Sequence, residues 1–577
     1  MGSRSPRSKI LTALFVLMAI SFTLLVFKQP LSVRMHSLFE PYSFNGDALQ
    51  HIAPTWYLHD AAQGESDYIS RYYLNAIQPA LFKGVYWILT LFWIPPIACK
   101  IVTVALSVLF ICVLSLTSFR LAGLPAAFLT LLFATGGTIK NFYFMGGLQR
   151  SFGMAASAIA LYFVATGNIW GVFAVAVISS LFYPAAAVFI LVLLGVLLFL
   201  PKRFRGTATS WSFKRRCVVL CICGALMGLF FVPQLKAGKE YGARLSMANQ
   251  DEFQEWGQGG RYTDGDRGVE VSFFQRSARI AMVSLANVVS LKKAQELSIE
   301  QTETILPSAD TQLLVTFLFC IFCSLYVVCF FPEFVSSGAV RLTAFFIATL
   351  VAFSAASLTF PLLYIPSRYI GLGISALAPV AFPALLCGLV GVFSRYRSEK
   401  VTVISSLIIG VGCFWILGWP NLRVRNLPNV DGYHRLMKFV GTLPIESRIA
   451  AWPRGVADMI QFFTGRHMLL TEESHQVFHR EYAYEMRRRM TAIVKAFAAT
   501  DLAPIQELVS TYQVTHLLID LRELDSQPSY FVPFKGALKI AREKNNGAPL
   551  ILNDLIQRGT VYKLERMVVV DLKKVLG

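Results

Sequence analysis

An aspartate just beyond the first apolar run has the placement a membrane-surface reaction needs. The segment Phe44-Asn45-Gly46-Asp47-Ala48-Leu49-Gln50-His51 continues through Trp56 to Asp60 and sets a carboxylate among aromatic and amide side chains. A carboxylate there can take a proton from an attacking hydroxyl. Three further groups carry cations. They are Lys140 to Gly153, with Gly146-Gly147-Leu148-Gln149-Arg150; Tyr364 to Tyr369, with Pro366-Ser367-Arg368; and Arg454 to Arg466, with Asp458 between them. Cations at headgroup level stabilise charge that develops on a departing phosphate, and arginine can grip it with two parallel hydrogen bonds. His51 lies four residues after Asp47, so on a helix the two share a face. No Walker loop, zincin helix, nucleophile elbow or dinucleotide fingerprint occurs, so the common soluble-enzyme chemistries find no support.

Each group also has a plainer role. Asp47 suits the N-cap of a helix starting at Ala48. Lys140, Arg150 and Arg368 suit headgroup anchors, and Tyr369 suits the aromatic belt. Arg487-Arg488-Arg489 reads as a solvated helix face.

The elements that hold these residues are apolar helices. Of 577 residues, 55% are hydrophobic and 15% charged, with mean hydropathy +0.55. Soluble domains carry about 25% charged residues, so this is a membrane protein with room for one soluble domain. Apolar runs predict about eleven spans, at 10–27, 97–118, 121–135, 152–167, 169–183, 184–200, 217–234, 311–331, 342–361, 369–392 and 401–419. Run 10–27 lacks a small-x-small cleavage site and reads as an uncleaved first helix. Phe182-Tyr183-Pro184 splits the run 169–200, because proline disfavours an unbroken helix.

Charge orients the spans. Residues 201–216 hold Lys202, Arg203, Arg205, Lys214, Arg215 and Arg216 without an acid, and Arg120, Arg341, Arg395, Arg397 and Lys400 mark three more basic loops. Short basic loops are cytoplasmic. The expected topology is a cytoplasmic N-terminus, outer loops at 28–96 and 235–310, and an extracytoplasmic α/β domain at 420–577 after a membrane module at 1–419. In that domain, Ser447 to Trp452 and Thr515 to Asp520 read as strands, and 479–499 and 501–512 as helices. Residues 82–94, FKGVYWILTLFWI, suit the membrane interface. The net charge of +19 follows from loops beside spans, so no nucleic-acid partner is implied. All ten cysteines lie in or beside apolar runs without metal-ligand spacing.

The chain resembles the GT-C-type bacterial membrane glycosyltransferases, near the mannosyl- and aminoarabinose-transferring enzymes. The resemblance rests on Asp47 in the first outer loop, Gly146-Gly-x-x-Arg150-x-Phe-Gly153, the Tyr183-Pro184 break, Pro366-Ser-Arg-Tyr369, and Phe463-Thr-Gly-Arg466 in a C-terminal outer domain. It implies a multi-pass protein of the bacterial cytoplasmic membrane that transfers sugar, with inversion, from a polyprenyl-phosphate carrier to a lipid, glycan or protein acceptor. Asp47 would be the base, and Arg368, Arg150 and Lys140 would hold the donor phosphate. His51, Trp56, Asp60 and Tyr369 would line the substrate site. Family members often carry an Asp-Glu pair in the first loop, whereas Asp47 is followed by Ala48, and the next acids are Asp60, Glu65 and Asp67. The position of a second carboxylate, and any need for a divalent cation such as Mg or Mn, is left open. A transporter or flippase of lipid-linked sugars would use similar cations, but the internal repeats and midplane charges typical of transporters are not evident. A noncatalytic scaffold of envelope-polysaccharide assembly would tolerate loss of Asp47.

Overall fold

The computed structural model describes residues 6–140, 146–262, 337–393 and 431–577, except 209, 246–248, 250, 258, 360–362, 364 and 526–527, with isolated positions between 404 and 427. Among the described residues, four helices are long and apolar enough to cross a membrane: Pro95–Ile139, Phe213–Lys239, Ala339–Leu358 and Ser367–Cys387. A fifth forms if Val16–Val26 and Lys28–Phe39, bent by 72°, count as one. Ile169–Ser180 and Pro184–Phe199 are shorter apolar helices, divided at Tyr183-Pro184 as the sequence predicts. The span expected at 311–331 lies outside the described residues, as do thirteen of the nineteen residues of 401–419.

The two runs at 97–118 and 121–135 form arms of one bent element, Pro95–Lys140. Helical geometry fails at Ala122 and Gly123, where Gly123 takes φ +79°. Thr130 Oγ1 donates to Ser118 Oγ at 2.6 Å. Twelve residues of straight helix would separate them by about 18 Å, so the arms fold back on each other. The break falls where a residue without Cβ can adopt the turn. After the second arm, the Gly147 N–H reaches Thr103 Oγ1 of the first arm at 2.8 Å. Arg34 caps the second arm, donating to Ile139 O through Nε at 3.0 Å and satisfying a carbonyl that the helix end leaves orphaned.

The bundle core gathers Leu114, Met154, Ala158, Leu161, Phe189, Leu193 and Phe345, all buried. Helix Gln149–Thr166 runs through it, and its two ends differ. At its C-terminal end, Arg341 Nε donates to Phe204 O at 3.0 Å and Arg341 Nη1 to Ala165 O at 3.3 Å, so two of the basic loops meet there. At its N-terminal end lie Arg150, the first loop and the C-terminal domain. Beside them, Trp87, Ile88, Leu91, Phe92, Trp93 and Ile94 are exposed along and after helix Ala80–Leu89, an apolar face suited to the membrane interface.

The C-terminal domain is a five-stranded sheet in the order β2-β1-β3-β5-β4. The strands are β1 (Arg448–Ala451), β2 (His467–Met468), β3 (His516–Asp520), β4 (Thr560–Leu564) and β5 (Met567–Asp571). β1 pairs parallel with β2 and β3, while β5 runs antiparallel to both β3 and β4. Helices Arg480–Phe497 and Ala503–Tyr512 cover it, close to the two helices expected from periodicity. The domain is fastened to the first loop. Trp56 Nε1 donates to Phe462 O at 2.9 Å, Tyr57 Oη to Gly465 O at 3.0 Å, and Gln461 Nε2 to Ser70 Oγ at 2.9 Å. Gly465 takes φ +67°, and a Cβ there would meet the Trp56 ring at 3.0 Å, so this contact requires glycine.

Candidate active site

Between the bundle, the first loop and the C-terminal domain lies a cavity of about 790 Å³. Asp47 occupies the N-cap position of the short helix Ala48–His51, but its side chain makes no capping bond. It turns instead to Arg150, whose Nη1 donates to Asp47 Oδ2. The Asn45 side chain holds the Asp47 backbone, accepting its N–H at 3.0 Å. Gly146 and Gly147 make the Arg150 side of this pair possible. They take φ +86° and +58°, and a Cβ on Gly147 would sit 2.4 Å from Tyr86 Oη and 2.6 Å from Cys99 O. This turn delivers the chain into helix Gln149–Thr166 with Arg150 in its first turn. Arg368 occupies the matching place at the start of helix Ser367–Phe393 and also lines the cavity. Each guanidinium is therefore joined by the positive end of its own helix, the arrangement that favours an anion.

These charges set the state of the pair. Burial pushes the Asp47 carboxyl up, but Arg150, Arg368 and His51 together outweigh burial and hold it below the usual carboxylate range. Burial drives the His51 imidazole down to about 4, reinforced by Arg150 and Arg368 and opposed by Asp47. His51 is therefore neutral near pH 7. Its carbonyl accepts from Gln78 Nε2 at 2.7 Å, its ring meets Tyr73 edge-on at 5.7 Å, and its Nδ1 is buried without a hydrogen-bond partner.

Other predicted residues divide. Tyr369 is buried, lines the cavity, and donates its hydroxyl to Leu363 O at 2.8 Å. Lys140 closes helix Pro95–Lys140, and both its side chain and Tyr364 lie outside the described residues. Trp56 and Asp60 do not line the cavity. Trp56 fastens the C-terminal domain, and Asp60 caps helix Ala61–Ser66 by accepting Gln63 N–H at 3.1 Å. The group Arg454 to Arg466 stays apart as well: Arg466 binds carbonyls of Leu443, Gly441 and Thr464, and Arg454 pairs with Glu472 at 3.0 Å.

The second carboxylate of the cavity comes from the C-terminal domain rather than the first loop. Asp67 is buried against Ser70 and His467, and Glu65 faces Arg71 at the surface. Glu473 lines the cavity instead, with Arg261 Nη2 at 3.0 Å from its Oε2. Burial raises the Glu473 carboxyl, with Arg261 opposing and Asp47 adding to the rise. Sequence reading missed Glu473, Arg261, Gln50 and Gln476. A signal existed for two of them: Gln50 follows Asp47 by three residues on the same helical turn, and Glu472-Glu473 is a doublet of acids.

Among the described residues, the cavity side chains offer a divalent cation no ready set of ligands. Each cavity carboxylate faces a guanidinium, and no group of three or more His, Cys, Asp or Glu side chains converges among the described residues.

No family model and no curated protein matches the chain. Solved structures do. The chain is similar to the apo oligosaccharyltransferase of Archaeoglobus fulgidus, at 11% identity over 88% of this chain and 70% of that one, with a TM-score of 0.48. It is similar to the same organism's AglB in complex with an inhibitory peptide and a dolichol-phosphate, at 13% identity over 93% and 72%, TM-score 0.45. It is also similar to ArnT from Cupriavidus metallidurans bound to undecaprenyl phosphate, at 12% identity over 95% and 98%, TM-score 0.46.

Proposed function

We propose that this protein is a glycosyltransferase of the bacterial cytoplasmic membrane. It moves a sugar from a polyprenyl-phosphate carrier to a lipid, glycan or protein acceptor on the outer face, with inversion, and Asp47 is the general base. The observation that carries this reading is the Asp47–Arg150 pair lining a cavity that also holds Arg368. The lining of that cavity includes Ala185, Val188, Phe231, Leu235 and Leu363, apolar surface that suits a prenyl chain. Arg150 and Arg368, each at a helix N-terminus, suit the carrier phosphate.

The step balances with these groups alone. The acceptor hydroxyl oxygen bonds to the anomeric carbon as the bond from that carbon to the phosphate oxygen breaks, and the hydroxyl proton passes to an Asp47 oxygen. The phosphate departs with its charge opposed by arginine. A phosphate beside Arg150 competes with Asp47 for that guanidinium. Donor binding therefore weakens the pull that holds the Asp47 carboxyl low, and the carboxylate becomes a stronger base when substrate is present. A flippase has no use for such a base.

The test is a transfer assay in detergent with a panel of labelled polyprenyl-phosphate sugars, comparing the wild type with Asp47→Asn. Asparagine keeps the shape and loses the proton acceptor. General-base catalysis is worth about 10²- to 10⁴-fold, so turnover should fall by at least the lower figure while the melting temperature stays near wild type. Full activity in the folded variant removes Asp47 from the base role.

A further inference from the structure

One part of the cavity lining is built from three distant stretches of chain joined by side-chain hydrogen bonds. Gln50 Oε1 accepts from Tyr73 Oη at 3.0 Å and from Gln476 Nε2 at 2.7 Å. Tyr262 Oη donates to Gln476 Oε1, and Arg261 binds Glu473 Oε2 at 3.0 Å while its Nη1 donates to Glu472 O at 2.5 Å. The amide pairs fix one another, so their remaining donors and acceptors are presented in set directions. The Glu473 side chain keeps 27% of its surface exposed, so the carboxylate is held but reachable.

We infer that this part of the cavity is the glycosyl pocket and that it takes a neutral, hydroxyl-rich sugar in preference to an amino sugar. The inference rests on the carrier-lipid reading above and adds the substrate class. Sugar hydroxyls both donate and accept, so they can meet the Glu473 carboxylate, the Arg261 guanidinium and the Gln50 amide N–H, while Gln476 is spent on Gln50, the Glu473 carbonyl and Tyr262 and holds the others in place. A protonated amine only donates, and it meets an unfavourable field. Among the described residues lining the cavity, Arg150, Lys239, Arg244, Arg261 and Arg368 are cationic, against Asp47 and Glu473. Both carboxylates already face guanidinium groups, so neither offers an ammonium an uncompensated partner. An anionic phosphate with a neutral ring matches this distribution. Glu473 is the specificity residue of the pocket.

Three ligands separate the outcomes: bare polyprenyl phosphate, the same carrier with a neutral hexose, and the same carrier with an aminopentose. Each is titrated against the purified full chain. The neutral glycolipid should bind at least about tenfold more tightly than the bare phosphate, the scale of one hydrogen bond to a charged group, and the amino glycolipid should gain nothing. Glu473→Gln should abolish the gain from the hexose and leave bare-phosphate affinity unchanged. Glu473→Asp, which keeps the charge and withdraws it by one methylene, should also reduce the gain and serves if the glutamine variant does not fold. An aminopentose that binds as well as the hexose, a hexose gain intact in a folded Glu473 variant, or a loss of bare-phosphate binding in that variant overturns the inference. Wild type that binds bare phosphate but gains nothing from a hexose overturns the sugar pocket alone. Failure to bind bare phosphate overturns the carrier reading and this inference together.

Discussion

At the scale of single residues, the pairing of Asp47 with Arg150 predicts a pH effect. The Asp47 carboxyl lies below the usual range because arginine charge outweighs burial. In Arg150→Gln the largest charge opposing burial is gone, so the carboxyl should rise. The acid limb of the pH–rate profile should then move to higher pH, since Asp47 works as a base only when deprotonated. An unmoved limb in a variant that still turns over would assign that limb to another group. Asp458 gives the opposite sign. Burial, with the carboxylates of Glu473 and Glu472, lifts its carboxyl from 3.8 to about 8. The folded state keeps the proton while the unfolded chain releases it. Stability from this group is therefore full below pH 3.8, falls as pH rises, and levels off above about pH 8. Asp458→Asn keeps the oxygen that accepts the Glu472 N–H at 2.7 Å and has no proton to release. Its melting temperature should decline less than wild type from pH 4 to 8 and exceed it at pH 8. Parallel curves would mean that Asp458 titrates normally.

At the scale of elements, the site depends on a turn that only glycine can make. Gly147 has positive φ, and a Cβ there would run into Tyr86 and Cys99, while its own carbonyl accepts from Tyr86 Oη at 2.8 Å. Gly147→Ala must push that contact apart and tilt the start of helix Gln149–Thr166, where Arg150 sits. Strain of this kind costs on the order of 1–3 kcal/mol, so the melting temperature should fall and transfer should fall further than stability does. Equal stability and activity would show that the turn relaxes freely. Elements of this kind were legible in the sequence. Hydrophobic runs located the apolar helices at Pro95–Lys140, Gln149–Thr166, Ile169–Ser180, Pro184–Phe199, Phe213–Lys239, Ser337–Leu358 and Ser367–Phe393, Pro184 located a break, and apolar segments located β1 and β3. The shorter β2 and the antiparallel pair β4 and β5 carried weaker patterns. Asp47, His51, Arg150, Arg368 and Tyr369 could be picked out because loop cations and carboxylates beside apolar spans stand out against their surroundings. Trp56 and Asp60 stood out equally and serve the docking and capping of the first loop. The polar part of the cavity lining was not legible, because Gln50 and Gln476 meet across 426 positions and such a contact leaves no local periodicity.

At the scale of the whole molecule, the cavity ties three questions of topology into one. The first loop, the start of helix Ser367–Phe393 and the C-terminal domain all contribute to its lining, so they share one side of any membrane the bundle spans. Two of the basic loops meet at the other end of helix Gln149–Thr166, through Arg341 and Phe204. An 18-residue helix is about 27 Å long, close to the thickness of the bilayer core, so on length alone, and with the span expected at 152–167, we propose that its two ends face opposite compartments. Basic loops are retained in the cytoplasm, and on that rule the proposed position of the cavity, Asp47 and the C-terminal domain is the outer face. A reporter that is active only in the cytoplasm, fused after Gly577, should therefore stay silent, while one that requires export should be active. The same pair of reporters fused within residues 201–216 should give the reverse pattern. A strong cytoplasmic signal from Gly577 would move the whole cavity to the inner face. The donor would then have to be a carrier lipid with its sugar on the cytoplasmic leaflet, and transfer in inside-out vesicles would proceed without any flipping step.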